Sequence, residues 1–234
     1  MPRRRRPGSG DVTVGRDKTV KLKRGKGRKA SSRRWLERQL NDPYVAEAKR
    51  RGYRSRAAFK LIELDDKFNF FRAGVRVADL GAAPGGWTQV ALERAGAAGR
   101  VVGIDLTPIE PVSGATLLTG DVRDGKTEQD LIAALRGHAD VVLSDMAAPS
   151  TGHAPTDHLR IIALIETALD FADAVLVPGG AFIAKVLHGG TERDLLTRLR
   201  RDFAKVSHAK PRASRKESAE MYVVATGYRV VHVE

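Results

Sequence analysis

The chain has 234 residues, of which 41 are lysine or arginine and 28 are aspartate or glutamate, so its formal net charge is +13 at pH 7. It contains no cysteine, which excludes disulfides, thiolate metal sites and cysteine nucleophiles. No apolar run reaches the roughly 18 residues of a membrane span, and the charged N-terminus lacks a secretory signal, so we expect a cytoplasmic protein without membrane contact.

The positive charge is concentrated at the N-terminus. Residues 1–34 hold 14 of the basic residues and two acids, whereas the rest of the chain is nearly neutral. Such a segment buries too little apolar surface to offset the entropy lost on ordering, so residues 1–32 are predicted to be a disordered basic tail. A tail of this kind attracts phosphate groups, although it could equally serve only for solubility. The folded domain is predicted to span residues 33–234.

Residues 33–71 are predicted to be helical. The pattern is interrupted at Pro43, and a second helical stretch follows over residues 44–51. Ser55 is a suitable N-cap for a third helix, whose apolar residues recur at helical spacing. Lys60 lies on this helix among apolar neighbours, and by itself it would be explained as a solvated position.

A turn rich in glycine connects the first strand to the next helix. Residues 75–79 are apolar apart from Arg76 and the final Asp79, residues 81–86 form the turn, and residues 87–94 are predicted helix. Strand, tight turn and helix begin a doubly wound domain, in which ligands bind beyond the carboxyl ends of the strands. The turn has neither the lysine of a phosphate loop nor the G-x-G-x-x-G pattern of a dinucleotide site. Asp79 before the turn favours a cationic ligand.

Strands and helices alternate through the rest of the chain. Further strands are predicted at residues 101–105, 116–119, 140–144, 181–187, 206–208 and 221–230, and further helices at 128–136, 158–176 and 191–203. Alternation with short connections predicts an α/β fold with a mostly parallel sheet and helices on both of its faces.

An aspartate ends or follows each of the first four strands, at Asp79, Asp105, Asp121 and Asp145. Because the carboxyl ends of parallel strands meet at one edge of the sheet, these acids should gather around the glycine turn. Asp105 is placed to accept hydrogen bonds from ribose hydroxyls. Dehydrogenases also carry an acid after the second strand, so a nicotinamide-dependent oxidoreductase remains an alternative, although the missing G-x-G-x-x-G pattern speaks against it.

The run Asp-Leu-Gly-Ala-Ala-Pro-Gly-Gly-Trp, which begins at Asp79, resembles the S-adenosylmethionine (SAM) loop of the FtsJ-type RNA ribose 2′-O-methyltransferases. The resemblance extends over residues 55–228. It implies a Rossmann-like SAM-dependent methyltransferase fold with a mostly parallel seven-stranded sheet whose last strand is antiparallel. The SAM contacts of the family map onto Gly85, Trp87, Asp105, Asp121 and Asp145. Asp121 would address the adenine amino group, and Asp145 would lie beside the methionine part.

The resemblance also implies a catalytic set. Lys185 lies within an otherwise apolar strand, where an ammonium group is unfavourable unless it is paired. The two lysines and two acids of the family map onto Lys60, Asp145, Lys185 and Glu220, and Lys185 is the expected acceptor of the hydroxyl proton. We expect the substitution Lys185→Ala to remove methylation while SAM binding survives. No histidine spacing indicates a metal site, so no metal is expected.

RNA is the substrate that the resemblance implies. The compact size is most similar to bacterial members that methylate a uridine ribose in the A-loop of 23S ribosomal RNA within the large subunit, and a monomer is expected. Residues 147–153 depart from the run typical of those members, which leaves the acceptor nucleotide open. Two alternatives also stay open: 2′-O-methylation of transfer RNA, and a non-catalytic ribosome-assembly protein that binds RNA.

Overall fold

A computed structural model describes residues 36–187 and 193–229 of the chain. The predicted basic tail and the predicted helix cap at Thr191 lie outside the described residues. No helix within the described ranges is long and apolar enough to cross a membrane.

The described residues contain a seven-stranded sheet in the order β3-β2-β1-β4-β5-β7-β6. Its strands are β1 (Arg76–Leu80), β2 (Arg100–Asp105), β3 (Ala115–Thr119), β4 (Ala139–Ser144), β5 (Leu176–Leu187), β6 (Phe203–Ala209) and β7 (Glu220–Tyr228). The pairs formed among β1 to β5 are parallel, whereas β7 runs antiparallel to both β5 and β6. The predicted α/β fold is confirmed, including the antiparallel last strand.

Helices cover both faces of the sheet. They are α1 (Pro43–Arg51), α2 (Ala57–Phe68), α3 (Gly86–Ala95), α4 (Gly125–Leu135), α5 (Ala154–Val175) and α6 (Arg193–Asp202), and residues 36–40 are also helical. Strand residues alternate between the two faces, so that Val77 packs with α1 to α3 while Ala78 packs with α4 to α6. The result is two apolar cores with the sheet between them.

Several boundaries differ from the predictions. Helix α5 begins at Ala154 instead of residue 158, because Pro155 suits a first helical turn and the Asp157 carboxylate accepts hydrogen bonds from the loop before it. Strand β5 begins at Leu176, five residues earlier than predicted, and its pairing with β4 is irregular between Ala139 and Val141. Strand β6 is longer than predicted at both ends.

The predicted cap of the third helix is wrong. Helix α2 begins at Ala57, its N-cap is Arg56, and no side chain caps it. The Ser55 hydroxyl instead is buried and has no hydrogen-bond partner among the described residues. A Cβ on Gly86 would overlap this hydroxyl, so the missing side chain of that glycine lets the segment before α2 pack against α3. A contact between two distant segments therefore determines the conformation of Ser55, and such a contact leaves no pattern in the sequence.

Candidate active site

A cleft opens where the carboxyl ends of β1, β2 and β4 meet, and we call it the edge cleft. Its volume is about 570 Å³. It is lined by Gly81, Ile104, Asp105, Leu106, Gly120, Asp121, Val122, Arg123, Met146, Ala147, Leu164 and Thr167. An apolar wall with acids at its rim suits a ligand that combines an aromatic ring with hydroxyl and amino groups.

The glycine turn is folded tightly against the end of β4. Gly81 has φ +77°, and a Cβ at this position would stand 2.8 Å from Met146 Cγ and 2.9 Å from the Met146 backbone. The Gly81 and Ala82 N–H groups both donate to the Ile104 carbonyl at the end of β2. A residue with a side chain could not make this approach, so glycine at position 81 joins three strand ends into one wall.

Asp105 braces two loops at the edge cleft. Its Oδ2 accepts a hydrogen bond from the Ala83 N–H at 3.0 Å, and its Oδ1 accepts one from the Thr107 N–H at 2.8 Å. The carboxylate therefore fixes the glycine turn and the segment after β2 at the same time. Asp105 also lines the edge cleft, and its contact with a ribose stays a prediction.

Asp121 also lines the edge cleft, and it is paired with Arg123. The carboxylate accepts a hydrogen bond from the Arg123 guanidinium at 2.6 Å and another from the Arg123 N–H, and these contacts lower the pKa of Asp121. The Arg123 side chain is 64% exposed, so solvent screens the attraction between the two charges. A ligand amine could replace the pair. Arg123 was not identified from the sequence, because an arginine two residues after an acid carries no distinctive pattern.

Asp79 lies beneath the glycine turn and is fully buried. The Thr88 hydroxyl donates to its Oδ2 at 2.7 Å, while its Oδ1 has no hydrogen-bond partner. Burial raises the pKa of Asp79 to about 7; Asp145 and Asp105 add to this, and the Thr88 hydrogen bond opposes it. Asp79 thus ties β1 to α3 and keeps one oxygen under the turn that has no partner among the described residues.

Gly85 and Trp87 do not line the edge cleft. Gly85 precedes α3 with φ +105°, and no side chain caps this helix, so its first N–H groups have no partner within the helix. The Trp87 side chain is buried, with the indole N–H donating to the Ala57 carbonyl at 2.8 Å. Any contact of Trp87 with a ligand must therefore come from its backbone, and both residues remain predicted contacts.

Lys185 and Asp145 form a half-buried ion pair beside the edge cleft. The Lys185 Nζ lies 2.8 Å from Asp145 Oδ1 and donates to the Asp145 carbonyl at 2.8 Å. The exposed fractions of the two side chains are 12% and 18%, so solvent reaches them from one side only. Asp145 directly precedes Met146, which lines the cleft. The pair therefore stands at the border of the cleft.

Lys60 and Glu220 form a second pair on the same side of the sheet. The Lys60 Nζ lies 2.7 Å from Glu220 Oε1, and the Ser214 hydroxyl donates to that carboxylate at 2.8 Å. Burial acts to raise the pKa of Glu220, but Lys60 and, more weakly, Lys185 and Ser214 outweigh burial, so this pKa is lowered. Lys60 is thus not a solvated helix position.

Tyr222 joins the two pairs. Its hydroxyl donates to Asp145 Oδ1 at 2.9 Å and accepts from the Lys60 Nζ at 3.3 Å. Burial, together with Asp145 and Glu220, raises the pKa of Tyr222 well above its usual value, so the hydroxyl keeps its proton. The structure therefore brings together all four residues of the predicted catalytic set. Tyr222 was missed as a member because a buried tyrosine in a strand is ordinarily explained by packing.

A second cleft of about 770 Å³ adjoins the Lys60–Glu220 pair, and we call it the basic cleft. It is lined by Arg38, Gln39, Arg56, Lys60, Arg215, Glu217, Ser218 and Glu220. Arg56 is held by the Asp42 carboxylate and the Ala213 carbonyl, and Arg215 Nε lies 3.7 Å from the same carboxylate. Guanidinium groups fixed in this way form a surface suited to phosphate.

Comparisons with known proteins point to one family. A model of FtsJ-like methyltransferases matches residues 53–228. The chain is 60% identical over 230 residues, or 96% of its length and 94% of the relative's, to a protein of Paramagnetospirillum magneticum named ribosomal RNA large subunit methyltransferase E. A protein of the same name from Acidiphilium cryptum is 62% identical over 221 residues, which are 94% of this chain and 97% of that one.

Solved structures agree with these relatives. A ribosomal RNA methyltransferase from Plasmodium falciparum is similar with a TM-score of 0.68 and 32% identity, over 75% of this chain and 98% of that chain. A fibrillarin/Nop5p complex is similar with a TM-score of 0.51 at 15% identity, over 72% of this chain and 81% of that chain, and it shares the fold alone.

Proposed function

The chain belongs to the FtsJ-like methyltransferase family, and on that premise we propose that it transfers a methyl group from SAM to a ribose 2′-hydroxyl of large-subunit ribosomal RNA. The proposed acceptor is a uridine in the A-loop of the 23S molecule. The observation that carries the proposal is the linkage of two lysines and two acids through Tyr222 beside the edge cleft. The names of the relatives support large-subunit ribosomal RNA as the substrate. The resemblance of the sequence to FtsJ-type enzymes supports the ribose hydroxyl of a uridine as the acceptor.

The residues of the edge cleft fit the methyl donor. Its apolar wall suits adenine, Asp105 and Asp121 stand where hydroxyl and amino groups could be bound, and Asp79 keeps an unpartnered buried oxygen beneath the turn. Gly85 and Trp87 would contribute N–H groups from the start of α3 to a carboxylate. When bound, SAM supplies an electrophilic methyl group on a sulfonium, which the carboxylate of Asp145 would favour electrostatically.

The lysines would manage the acceptor hydroxyl. In this proposal the 2′-oxygen forms a bond to the methyl carbon, the bond between that carbon and sulfur breaks, and the hydroxyl proton passes to the Nζ of Lys185, which has first released the proton of its ammonium form to solvent. Asp145 orients Lys185 through the 2.8 Å contact, and Tyr222 holds Asp145 from the other side. Positioning of this kind supplies much of the rate in a displacement that needs little covalent help.

The RNA would approach from the basic cleft. Its guanidinium groups, Arg38, Arg56 and Arg215, are spaced around Lys60, and they would bind the phosphates that flank the acceptor ribose. Binding of this type weakens as salt increases, since each phosphate contact releases counterions. Bacterial ribosomes assemble in the cytoplasm, which is where the proposed enzyme would act.

The test is transfer of labelled methyl from SAM to large ribosomal subunits from cells that lack this enzyme, with naked ribosomal RNA and transfer RNA alongside. The product is mapped by its resistance to alkali, because a methylated 2′-oxygen cannot attack the phosphate. One resistant uridine in the A-loop, lost in Lys185→Ala and retained in the matched control Lys205→Ala, whose lysine is exposed on strand β6, would support the proposal.

Other results of this experiment would change the proposed function in defined ways. Label in transfer RNA alone would retain the chemistry and replace the substrate. RNA binding without label in any RNA would favour the non-catalytic assembly protein. Normal turnover by Lys185→Ala would remove Lys185 from its role as proton acceptor. Calorimetry must show that this variant still binds SAM before its turnover is compared with that of wild type.

A further inference from the structure

Arg54 lies in the short segment between α1 and α2. Its backbone N–H donates to the Gln89 Oε1 of α3 at 2.8 Å, and the amide of the same glutamine donates to the Gly52 carbonyl at 2.9 Å. The segment is therefore fastened to the helix that follows the glycine turn. This fixes the point from which the Arg54 side chain extends.

The Arg54 guanidinium bridges two loops at the edge cleft. Its Nη1 donates to the Pro84 carbonyl of the glycine turn at 3.2 Å and to the Glu110 carbonyl at 2.5 Å, and its Nη2 donates to the Pro111 carbonyl at 2.6 Å. Residues 106–112, which we call the 106–112 segment, contain no regular secondary structure. Three guanidinium N–H groups are thus directed to carbonyl oxygens of the protein.

The 106–112 segment forms one lip of the edge cleft. Leu106 lines the cleft and is 69% exposed, and the Thr107 N–H is held by Asp105. Asp105 therefore fixes the segment at its start, and Arg54 fixes it three to four residues later. With both attachments in place, the lip is held against the glycine turn.

Gly85 makes room for this arrangement. A Cβ at Gly85 would stand 3.1 Å from Arg54 Nη1, 3.2 Å from Arg54 Cδ and 3.2 Å from Val112 Cγ2. The arginine, the 106–112 segment and the glycine turn consequently pack against one another at one point. Gly85 is itself a predicted contact of the methyl donor, so the attachment made by Arg54 lies next to the donor.

We propose that Arg54 is a positioning residue for the methyl donor, which it serves by tying the 106–112 segment to the glycine turn. The inference depends on the proposed use of SAM by the edge cleft. It separates Arg54 from the arginines of the basic cleft, which are proposed to bind the RNA. A guanidinium spans the carbonyls of two loops because its N–H groups point in fixed directions, which a lysine ammonium does not reproduce.

The test compares Arg54→Gln and Arg54→Lys with the control Arg50→Gln, whose 68% exposed side chain pairs only with Glu47 of its own helix. Both Arg54 variants should bind SAM and S-adenosylhomocysteine about tenfold more weakly by calorimetry, with a matching rise in KM for SAM. The kcat at saturating SAM should stay within about twofold of wild type, since the lysines are untouched. RNA affinity and its salt dependence should not change.

Hydrogen exchange without any ligand provides an independent readout. In both Arg54 variants the amides of the 106–112 segment should exchange faster, while those of β4 and β5 keep their rates. Faster exchange over the whole domain would overturn the proposal, because Arg54 would then act only on global stability. Unchanged SAM affinity with weaker RNA binding, restored in Arg54→Lys, would overturn it in favour of a phosphate contact. A wild-type protein that does not bind SAM would overturn the proposed function as well, whereas normal binding by both variants would overturn this inference alone.

Discussion

Tyr222→Phe removes a single oxygen atom from the centre of the candidate site. The ring is fully buried and packs on Trp87 with centroids 5.5 Å apart, so phenylalanine keeps the apolar contacts. The substitution removes the donor to Asp145 and the acceptor for Lys60, which are the links between the two ion pairs. Both ion pairs themselves remain. The variant therefore measures what the connection between the two ion pairs contributes to stability and to kcat.

The expected magnitude follows from these two contacts. A hydrogen bond to a charged partner contributes about 1.5–3 kcal/mol, but Asp145 keeps Lys185 at 2.8 Å and Lys60 keeps Glu220, so neither charge is left alone. We expect a loss of about 1–2 kcal/mol in stability, a decrease of roughly 3–6 °C in Tm, and a kcat reduced about 5–30-fold. Because the pKa of Tyr222 lies well above its usual value, the reduction should be the same from pH 6 to pH 9.

The assay is methyl transfer at saturating SAM and RNA, together with thermal unfolding of each variant. Tyr228→Phe is the matched control, since Tyr228 lies in the same strand and its hydroxyl makes only a 3.4 Å hydrogen bond to the Asp173 carbonyl. The control should keep its kcat. A Tyr222→Phe protein with wild-type kcat would refute the reasoning even if its Tm decreased, because the hydroxyl would then stabilise the fold without positioning the lysines. Equal losses in both variants would refute it as well.

Three further changes test other parts of the site. Burial raises the pKa of Asp79 to about 7 from its usual 3.8. This group therefore contributes stability that is full below about pH 4 and is lost as the pH rises through about 7. Between pH 5 and pH 8, the Tm of Asp79→Asn should consequently decrease less than the Tm of wild type. Gly81→Ala, whose Cβ would meet Met146 at 2.8 Å, should lose about 2–4 kcal/mol in urea unfolding. The control Gly52→Ala, at a left-handed helical position with φ +78° and no described atom within 4 Å of its Cβ, should lose about 1 kcal/mol. Arg215→Gln should weaken RNA binding several-fold and reduce the slope of log affinity against log salt by about one, with SAM affinity unchanged; an unchanged slope would remove Arg215 from the RNA surface.

The glycine turn and the acids at the strand ends were predictable because they depend on short stretches of chain. Strand, turn and helix are local, and parallel strands bring their carboxyl ends to one edge whatever the details of packing. The positions of Asp105 and Asp121 in the wall of the edge cleft follow from that rule alone. The family resemblance then predicted the lysines, and the structure pairs each of them with an acid of the predicted set.

The connection between the two pairs was not predictable from the sequence. It depends on the register of β7 against β5, which places Tyr222 directly opposite Lys185. A shift by one residue would turn the Tyr222 side chain to the other face of the sheet. Lys60 reaches the same point from α2, 160 residues earlier in the chain than Glu220. Contacts between such distant segments leave no periodic pattern, and for the same reason the hydrogen bonds of Arg54 were not predicted.

The two faces of the sheet explain why Lys185, rather than Lys60, is assigned the proton. The edge cleft is walled by Ile104 and Val122, which belong to the core beneath α4 to α6, whereas Tyr222 belongs to the core beneath α1 to α3. A methyl group held in the cleft must therefore reach its acceptor across the end of β4. Asp145 directly follows β4, and its carboxylate contacts Lys185. The same carboxylate is linked to Lys60 through the Tyr222 hydroxyl. In the proposed reaction the lysine nearer to Asp145 would therefore take the proton from an oxygen facing the donor, and the farther lysine, which lines the basic cleft, would hold the RNA.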